Sequence, residues 1–209
     1  VAYMASFYFM PVSLAVLIFF TFPVLIALVE PLVARRRPAP ASIAMALLAF
    51  GGLALALGPD MGGLDRRGFA LALLAALGAT TTFILSQRLV ADRDMFAFSF
   101  HLHLVCVPVA ALTLPLIGGL VWPDGGFAWL GLTGVGLFYV SAVLLQFAAI
   151  RRAGPARASI VFNAEPVITI VGAGLVLGEV LRPMQWTGAA LVIVAVLLSA
   201  RIDRPVPAG

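Results

Sequence analysis

One glutamate lies in the middle of an apolar stretch and is the residue best suited to do chemistry. It occurs in "ASIVFNAEPVITIVGAGLVLGE" (residues 158–179), where Asn163 lies two residues before Glu165 and Pro166 follows it directly. Proline has no N–H, so it frees the carbonyl four residues earlier in a helix. A carboxyl group beside such an interruption can bind a cationic group, exchange a proton or hydrogen-bond to a neighbouring helix.

The neighbours of this glutamate divide between two faces of a helix. Glu165 and Thr169 share one face by their spacing, whereas Ser159, Asn163 and Pro166 share another. We interpret Glu165, Asn163 and Thr169 as candidates to line a cavity that holds substrate. The alternative is a protonated or hydrogen-bonded glutamate that only ties its helix to a neighbour.

Three further polar side chains lie in other apolar stretches. Tyr139 and Gln146 are seven residues apart on one helix face, where they either line a cavity or join helices. His103 is a candidate for a cavity histidine or a proton relay. Because His101 and His103 point to nearly opposite faces, they cannot share an ion, and we predict no metal, no cofactor and no catalytic residue.

The composition indicates that lipid is the solvent around these residues. Hydrophobic residues make up 63% of the chain and charged residues only 11%, whereas a soluble domain has about 25% charged residues. Several apolar runs reach the ~20 residues that span a bilayer core. The net charge of +4 comes from arginines at the ends of these runs, so we read them as topology signals and expect no nucleic-acid partner.

The breaks between apolar runs predict an all-α integral membrane protein, with seven full transmembrane helices after an N-terminal stub. Each predicted helix is near the length that crosses a bilayer, and the connections are short and rich in turn residues. The stub covers residues 1–10, and the spans are 12–34, 41–58, 68–90, 95–119, 127–150, 155–178 and 184–201.

The arginines predict which side of the membrane each connection occupies. Ten of the 13 basic residues lie in alternate connections and in the tail, and three lie on the other side. Since positive charge accumulates on the cytoplasmic side, we place the ten-arginine side and the C-terminus in the cytoplasm. The ten are Arg35, Arg36, Arg37, Arg88, Arg93, Arg151, Arg152, Arg157, Arg201 and Arg204.

The chain also repeats itself. An offset of 143 residues places Pro23 on Pro166 and Pro40 on Pro183 without a gap, and we expect helix breaks at Pro23 and Pro166. The offset spans five predicted crossings, an odd number, so the two copies run in opposite directions. Such inverted repeats are typical of secondary transporters. We therefore expect spans 12–34 and 155–178 to be related by a pseudo-twofold axis in the membrane plane.

The motifs "NAEP", "LGE" and "RPMQWTGAALVIVAVLL" resemble the second repeat of EamA-type members of the drug/metabolite transporter superfamily. The resemblance implies ten helices, cytoplasmic termini, and export or exchange of small metabolites through a central cavity. The first repeat departs from the motif, because Ala34, Arg35 and Arg36 stand at its "LGE" positions. By this alignment residues 1–58 are the end of the first repeat, 59–67 a loop, 68–201 the complete second repeat and 202–209 a cytoplasmic tail. We expect a fragment that lacks two helices and most of a third.

These observations favour a secondary transporter that exports a small metabolite or drug-like molecule across the cell (inner or plasma) membrane. The expected partners are a small-molecule substrate and the lipid bilayer, while proton coupling and a homodimer are left open. The alternatives are a membrane-embedded enzyme or a non-transporting membrane subunit. An enzyme acting on lipid needs clustered acids, histidines or arginines at one membrane face, and the sequence does not show them.

Overall fold

The computed structural model describes residues 1–58, 61–90, 94–113, 119, 122–177 and 181–202. Within these ranges the regular elements are α-helices and one 3-10 turn at Met61–Gly63, which confirms the predicted all-α fold. In chain order the helices are α1 (Ala2–Ser6), α2 (Val12–Phe19), α3 (Phe22–Val33), α4 (Pro40–Leu57), α5 (Arg66–Val90), α6 (Met95–Thr113), α7 (Gly126–Ala153), α8 (Pro155–Phe162), α9 (Ala164–Leu177) and α10 (Pro183–Ile202).

Six stretches of the described chain are long and apolar enough to cross a membrane, so the protein is a multi-pass membrane protein. The seventh predicted span, 155–178, consists of α8 and α9, and its last residue lies outside the described residues. The predicted end of the 95–119 span and the tail 203–209 also lie largely or wholly outside them. The six stretches are Val12–Val33, Pro40–Leu57, Arg66–Leu89, Met95–Thr113, Gly126–Ala153 and Pro183–Arg201.

Large apolar side chains on α6 and α7 are exposed. No described residue of α6 is buried, and on α7 the side chains of Phe127 and Phe138 are 90% and 80% exposed. Exposing so much apolar surface to water is unfavourable at roughly 25 cal/mol per Å². Lipid removes that cost, so these surfaces fit the membrane environment that the composition predicted.

The helices form two compact units. The larger comprises Ala2–Ile84 with the described part of Ala153–Gly209, and so contains α1–α4, most of α5, and α8–α10. The smaller comprises Leu85–Arg152, to which Val1 is assigned, and contains the end of α5 with α6 and α7.

The helix bounds in the larger unit follow the internal repeat. Helices α2 and α8 each have eight residues, and α8 begins and ends 143 positions after α2. Helices α4 and α10 begin at Pro40 and Pro183, again 143 positions apart. Proline suits these first positions because its missing N–H has no partner within a helix there. The breaks between helices in the two copies therefore fall at matching or neighbouring residues.

The two long helices of the repeat, α4 and α10, pack against each other in opposite directions. A side chain built on Gly52 would meet the carbonyl oxygen of Gly188 at 2.8 Å. Six residues earlier in α4, Ala46 belongs to a cluster that packs against Val196, which is eight residues later in α10. Residues that come earlier in α4 therefore contact residues that come later in α10, so the two helices are antiparallel. This orientation agrees with the predicted inverted repeat.

The same face of each long helix is buried. Four buried positions of α4 have a buried counterpart 143 residues later in α10, as expected when a pseudo-twofold axis passes between them. The central pair, Ala49 and Val192, is completely buried. The four pairs are Ala46 with Ala189, Ala49 with Val192, Gly52 with Ala195, and Ala56 with Ser199.

Candidate functional site

The interruption between α8 and α9 lies at Asn163, before the proline that the sequence indicated. Asn163 caps α8, and its backbone N–H donates to the carbonyl oxygen of Ile160 at 3.1 Å. Pro166 is the third residue of α9, where a missing N–H is tolerated. In the first repeat the break likewise precedes Pro23, because α2 ends at Phe19 and α3 begins at Phe22. The prolines thus sit in the first turn of the following helix.

This interruption explains the position of the glutamate. Glu165 is the second residue of α9, in its first turn. The first four N–H groups of a helix have no partner within it, and the aligned peptide dipoles favour a negative charge there. The break therefore places Glu165 at a helix N-terminus within the predicted 155–178 span.

Burial separates the two predicted faces. Ser159, Asn163 and Pro166 are buried, whereas Glu165 and Thr169 are exposed. Thr169 donates its hydroxyl hydrogen to the backbone carbonyl oxygen of Glu165 at 3.0 Å. The hydroxyl hydrogen of Thr169 is therefore donated within its own helix, while the hydroxyl oxygen can still accept a hydrogen bond. Glu165 and Asn163, which the sequence grouped as cavity candidates, point to different surroundings.

The Glu165 carboxylate has neither a hydrogen-bond donor nor an ion-pair partner among the residues that the structure describes. The phenol of Tyr3 is within electrostatic range of the carboxylate. The ring of Tyr3 packs between those of Phe19 and Phe7, with centroids 4.4 and 4.9 Å away. The polar group within that range thus belongs to an aromatic cluster that includes the end of α2.

Sequence reasoning missed Tyr3, although the repeat contained a signal for it. The offset of 143 pairs Tyr3 with Gln146, which the sequence indicated as a candidate in the second copy. Gln146 is half-buried on α7. Equivalent positions of the two copies thus both carry a polar side chain, and the repeat could have pointed from one to the other.

Asn163 is fully buried and incompletely satisfied. Its side-chain nitrogen donates to the carbonyl oxygens of Ile160 and Ser159 at 3.3 and 3.5 Å. Its side-chain oxygen has no hydrogen-bond partner within the described chain. An unsatisfied buried acceptor costs about 1–3 kcal/mol. Such a cost is expected where a position is selected for a purpose other than stability.

The candidates on α6 and α7 lie in the smaller unit, and two of them meet. Nε2 of His103 is 3.1 Å from the hydroxyl oxygen of Tyr139. Nδ1 of the same ring is 2.7 Å from the carbonyl oxygen of Ser99. The side chain of His101 points elsewhere, is exposed, and bonds through Nδ1 to the carbonyl oxygen of Ala97. The two histidine side chains therefore bond to different groups, and only His103 reaches α7.

The three threonine hydroxyls of α5 bond to the backbone of their own helix. Thr80, Thr81 and Thr82 each donate to the carbonyl oxygen four residues earlier, at 2.8–2.9 Å. Such bonds satisfy a polar group inside an apolar helix without a partner from elsewhere. We assign these threonines no role in a site.

Comparisons with known proteins agree with this architecture. Residues 66–201, more than half of the chain, match the model of a family described as the EamA-like transporter family. One solved structure, described only as the crystal structure of a protein, is similar with a TM-score of 0.84 at 20% sequence identity. The match covers 98% of this chain and 72% of that one, and at this identity it shows the fold alone. No curated protein sequence matches significantly.

Proposed function

This chain belongs to the EamA-like transporter family of membrane proteins, and we propose that it is a secondary transporter exporting a small metabolite or drug-like molecule. The observation that carries the proposal is the unpaired, exposed carboxylate of Glu165 at the break between α8 and α9. In our proposal this carboxylate faces the transport cavity and contacts either the substrate or a coupling proton.

The energetics of the bilayer support this assignment. Charged side chains at the centre of a membrane helix cost about 2.5–3.5 kcal/mol on insertion scales measured for Asp, Lys and Arg. Such residues almost always face a bundle interior or a water-filled cavity. A carboxylate that only joined two helices would have a donor on the neighbouring helix, and the described residues offer Glu165 none. A role toward a mobile ligand accounts for both its exposure and its lack of a partner.

The negative charge of the Glu165 carboxylate limits which ligands it can bind. A carboxylate attracts a cationic group or a proton and repels an anion. Tyr3 lies within range of its charge and can donate a hydrogen bond to a substrate acceptor. We place the chain in the cytoplasmic membrane, with the arginine-rich connections and the C-terminus on the cytoplasmic side.

Transport can be tested before the substrate has been identified. Liposomes containing the protein are loaded with a defined mixture of amino acids, amines, organic acids and nucleosides. Mass spectrometry then identifies the compounds that leave faster than from protein-free liposomes. Glu165→Gln keeps the size and hydrogen bonding of the side chain but removes its charge. We expect the flux of the selected compounds to fall at least about tenfold in this variant, because a charge-assisted contact is lost.

Glu165→Leu serves as the control for a structural role. Equal flux in the wild type and in Glu165→Gln, together with a lower melting temperature in Glu165→Leu, would show that Glu165 is a tie between helices. Thr81→Val on α5 is the control outside the site, since the exposed Thr81 hydroxyl donates to the carbonyl oxygen of Leu77 and is assigned no role in the site. It should keep both flux and melting temperature close to those of the wild type.

A further inference from the structure

We propose that His103 and Tyr139 form a proton-binding site, in which Nε2 of His103 takes up the proton and the Tyr139 hydroxyl changes from donor to acceptor. The site lies in the smaller unit, on helices that do not carry Glu165. It rests on the proposed transport function, because the transport cavity would supply water to the site and the bound proton would act as the coupling ion.

The hydrogen bonds determine which nitrogen is free to accept a proton. Nδ1 of His103 is 2.7 Å from the carbonyl oxygen of Ser99. A carbonyl oxygen only accepts, so in the neutral ring Nδ1 carries the hydrogen. Nε2 then has the lone pair, and the Tyr139 hydroxyl at 3.1 Å donates to it. The two rings meet edge-on, with centroids 5.7 Å apart.

Protonation needs only a rotation of one hydroxyl group. A hydronium ion transfers its proton to the lone pair of Nε2 and leaves as water, and the new N–H then donates to the hydroxyl oxygen of Tyr139. In this proposal the 56% exposed Tyr139 faces the transport cavity and not lipid, so its hydroxyl hydrogen turns away toward water in that cavity. The charged ring keeps Ser99 as the acceptor for Nδ1–H, so both of its donors are satisfied. Charge-assisted bonds are roughly twice as strong as neutral ones, which offsets part of the cost of the charge.

The surroundings favour reversible charging over a permanent ion pair. Neither α6 nor α7 contains an acidic residue. The other titratable groups on α6 are His101 and Cys106, and both are exposed. On α7 the only basic residues are in its last turn, at Arg151 and Arg152, about 18 Å along the helix from Tyr139. No carboxylate on these helices holds the proton on His103, so it can be released again.

A purely structural reading assigns this bond the role of a link between α6 and α7, near the contact of Phe98 with Phe147. Polar contacts between membrane helices are worth only about 0.6 kcal/mol on average. A link of this kind requires no particular tautomer and no titration. His101 is the internal comparison, because it makes the same Nδ1 bond to its own helix and lacks the tyrosine.

The test is nitrogen NMR of the full chain labelled with ¹⁵N-histidine in lipid nanodiscs. The protein has two histidines, and His101→Gln assigns their signals. Spectra are recorded from about pH 5 to about pH 9, the range in which histidine changes charge. We expect His103 to be the Nδ1–H tautomer at high pH and to become protonated at Nε2 as the pH falls. In Tyr139→Phe the charged fraction of His103 should be lower at every intermediate pH, while the His101 signal is unchanged.

Three results would overturn the proposal. They are a His103 ring that stays neutral throughout, an Nε2–H tautomer at high pH, and a titration that Tyr139→Phe does not alter. Glu165→Gln separates this site from the proposed transport function. If that variant keeps its flux while His103 titrates as expected, the assignment of Glu165 fails and the proton site stands. If flux depends on Glu165 but His103 does not titrate, the reverse holds.

Discussion

The carboxylates of Glu30 and Glu165 differ in whether they have a hydrogen-bond partner. The Glu30 carboxylate, on α3, accepts a hydrogen bond from the Arg36 guanidinium at 3.0 Å, just beyond the end of that helix. Glu165 has no such partner among the described residues and lies in the first turn of α9. A partner six residues away in the chain is enough for a local structural pair. Glu165 needs a different explanation, and a mobile ligand provides one.

This contrast predicts opposite effects on stability. Glu165→Gln should not lower the melting temperature in nanodiscs, because the substitution removes an unpaired charge from a membrane helix. Glu30→Gln should lower the free energy of unfolding by up to about 1 kcal/mol, the usual range for a pair with one solvent-exposed partner. Arg36 is that partner, with its side chain 69% exposed. A larger loss in Glu165→Gln than in Glu30→Gln would mean that Glu165 is a structural tie.

At the scale of elements, the two copies of the repeat share a break and differ in what they place there. The first copy has Phe20 and Phe22 where the second has Asn163 and Glu165. Phe22 packs against Phe83 with ring centroids 5.4 Å apart, and Phe83 contacts Phe162 at the second break. One break is therefore filled with aromatic side chains and the other carries the polar groups. The two copies therefore share their helix arrangement but differ in the side chains at the break.

The contact between α4 and α10 depends on glycines. A methyl group on Gly52 would lie 2.8 Å from the carbonyl oxygen of Gly188 and 2.9 Å from Cβ of Leu191. We expect Gly52→Ala to lower the free energy of unfolding by about 1–3 kcal/mol, as overpacking of a core does. Gly51→Ala is the matched control, since a methyl group there meets nothing within 4 Å. Equal melting temperatures for the two variants in nanodiscs would contradict this helix contact.

In the molecule as a whole, lipid surrounds the apolar side chains that the protein leaves exposed. Exposed apolar side chains occur along the membrane-spanning helices, and Trp122 and Trp129 stack at the start of α7 with ring centroids 6.1 Å apart. Tryptophan is enriched at membrane–water interfaces. We therefore expect the stack to lie at the level where α7 enters the membrane, at the end of the helix opposite Arg151 and Arg152.

The orientation of the chain gives a prediction for intact cells. In a Cys106→Ser background, a membrane-impermeant maleimide added outside should label Asp124→Cys and miss Arg36→Cys. Asp124 lies in the connection before α7, and Arg36 lies in one of the arginine-rich connections. Arg36→Cys should react once the cells are made permeable, which controls for its reactivity. Labelling of Arg36→Cys in intact cells, with Asp124→Cys protected, would invert the proposed topology.

The amino-acid sequence alone was sufficient to predict a membrane protein, its helices and its internal repeat. The apolar composition and the length of the apolar runs place these segments in lipid. Lipid requires them to be helices, because every backbone polar group must be hydrogen-bonded within the segment. The position of Pro23 and Pro166 located both breaks to within a few residues, since proline favours a first turn or an interruption. Proline alone does not mark a break, because Pro31 and Pro108 lie inside α3 and α6. Glu165 was identifiable for the same reason, as an ionisable group in a span that disfavours one.

Only the tertiary structure decided which side chains meet. The neighbourhood of Tyr3 and Glu165 and the bond between His103 and Tyr139 join residues far apart in the chain. The orientation that buries Asn163 and exposes Glu165 also depends on packing. In a soluble protein an apolar stripe shows which face of a helix turns inward. These helices are apolar on nearly all sides, so their rotation and their partners follow from close packing at residues such as Gly52 and Gly188.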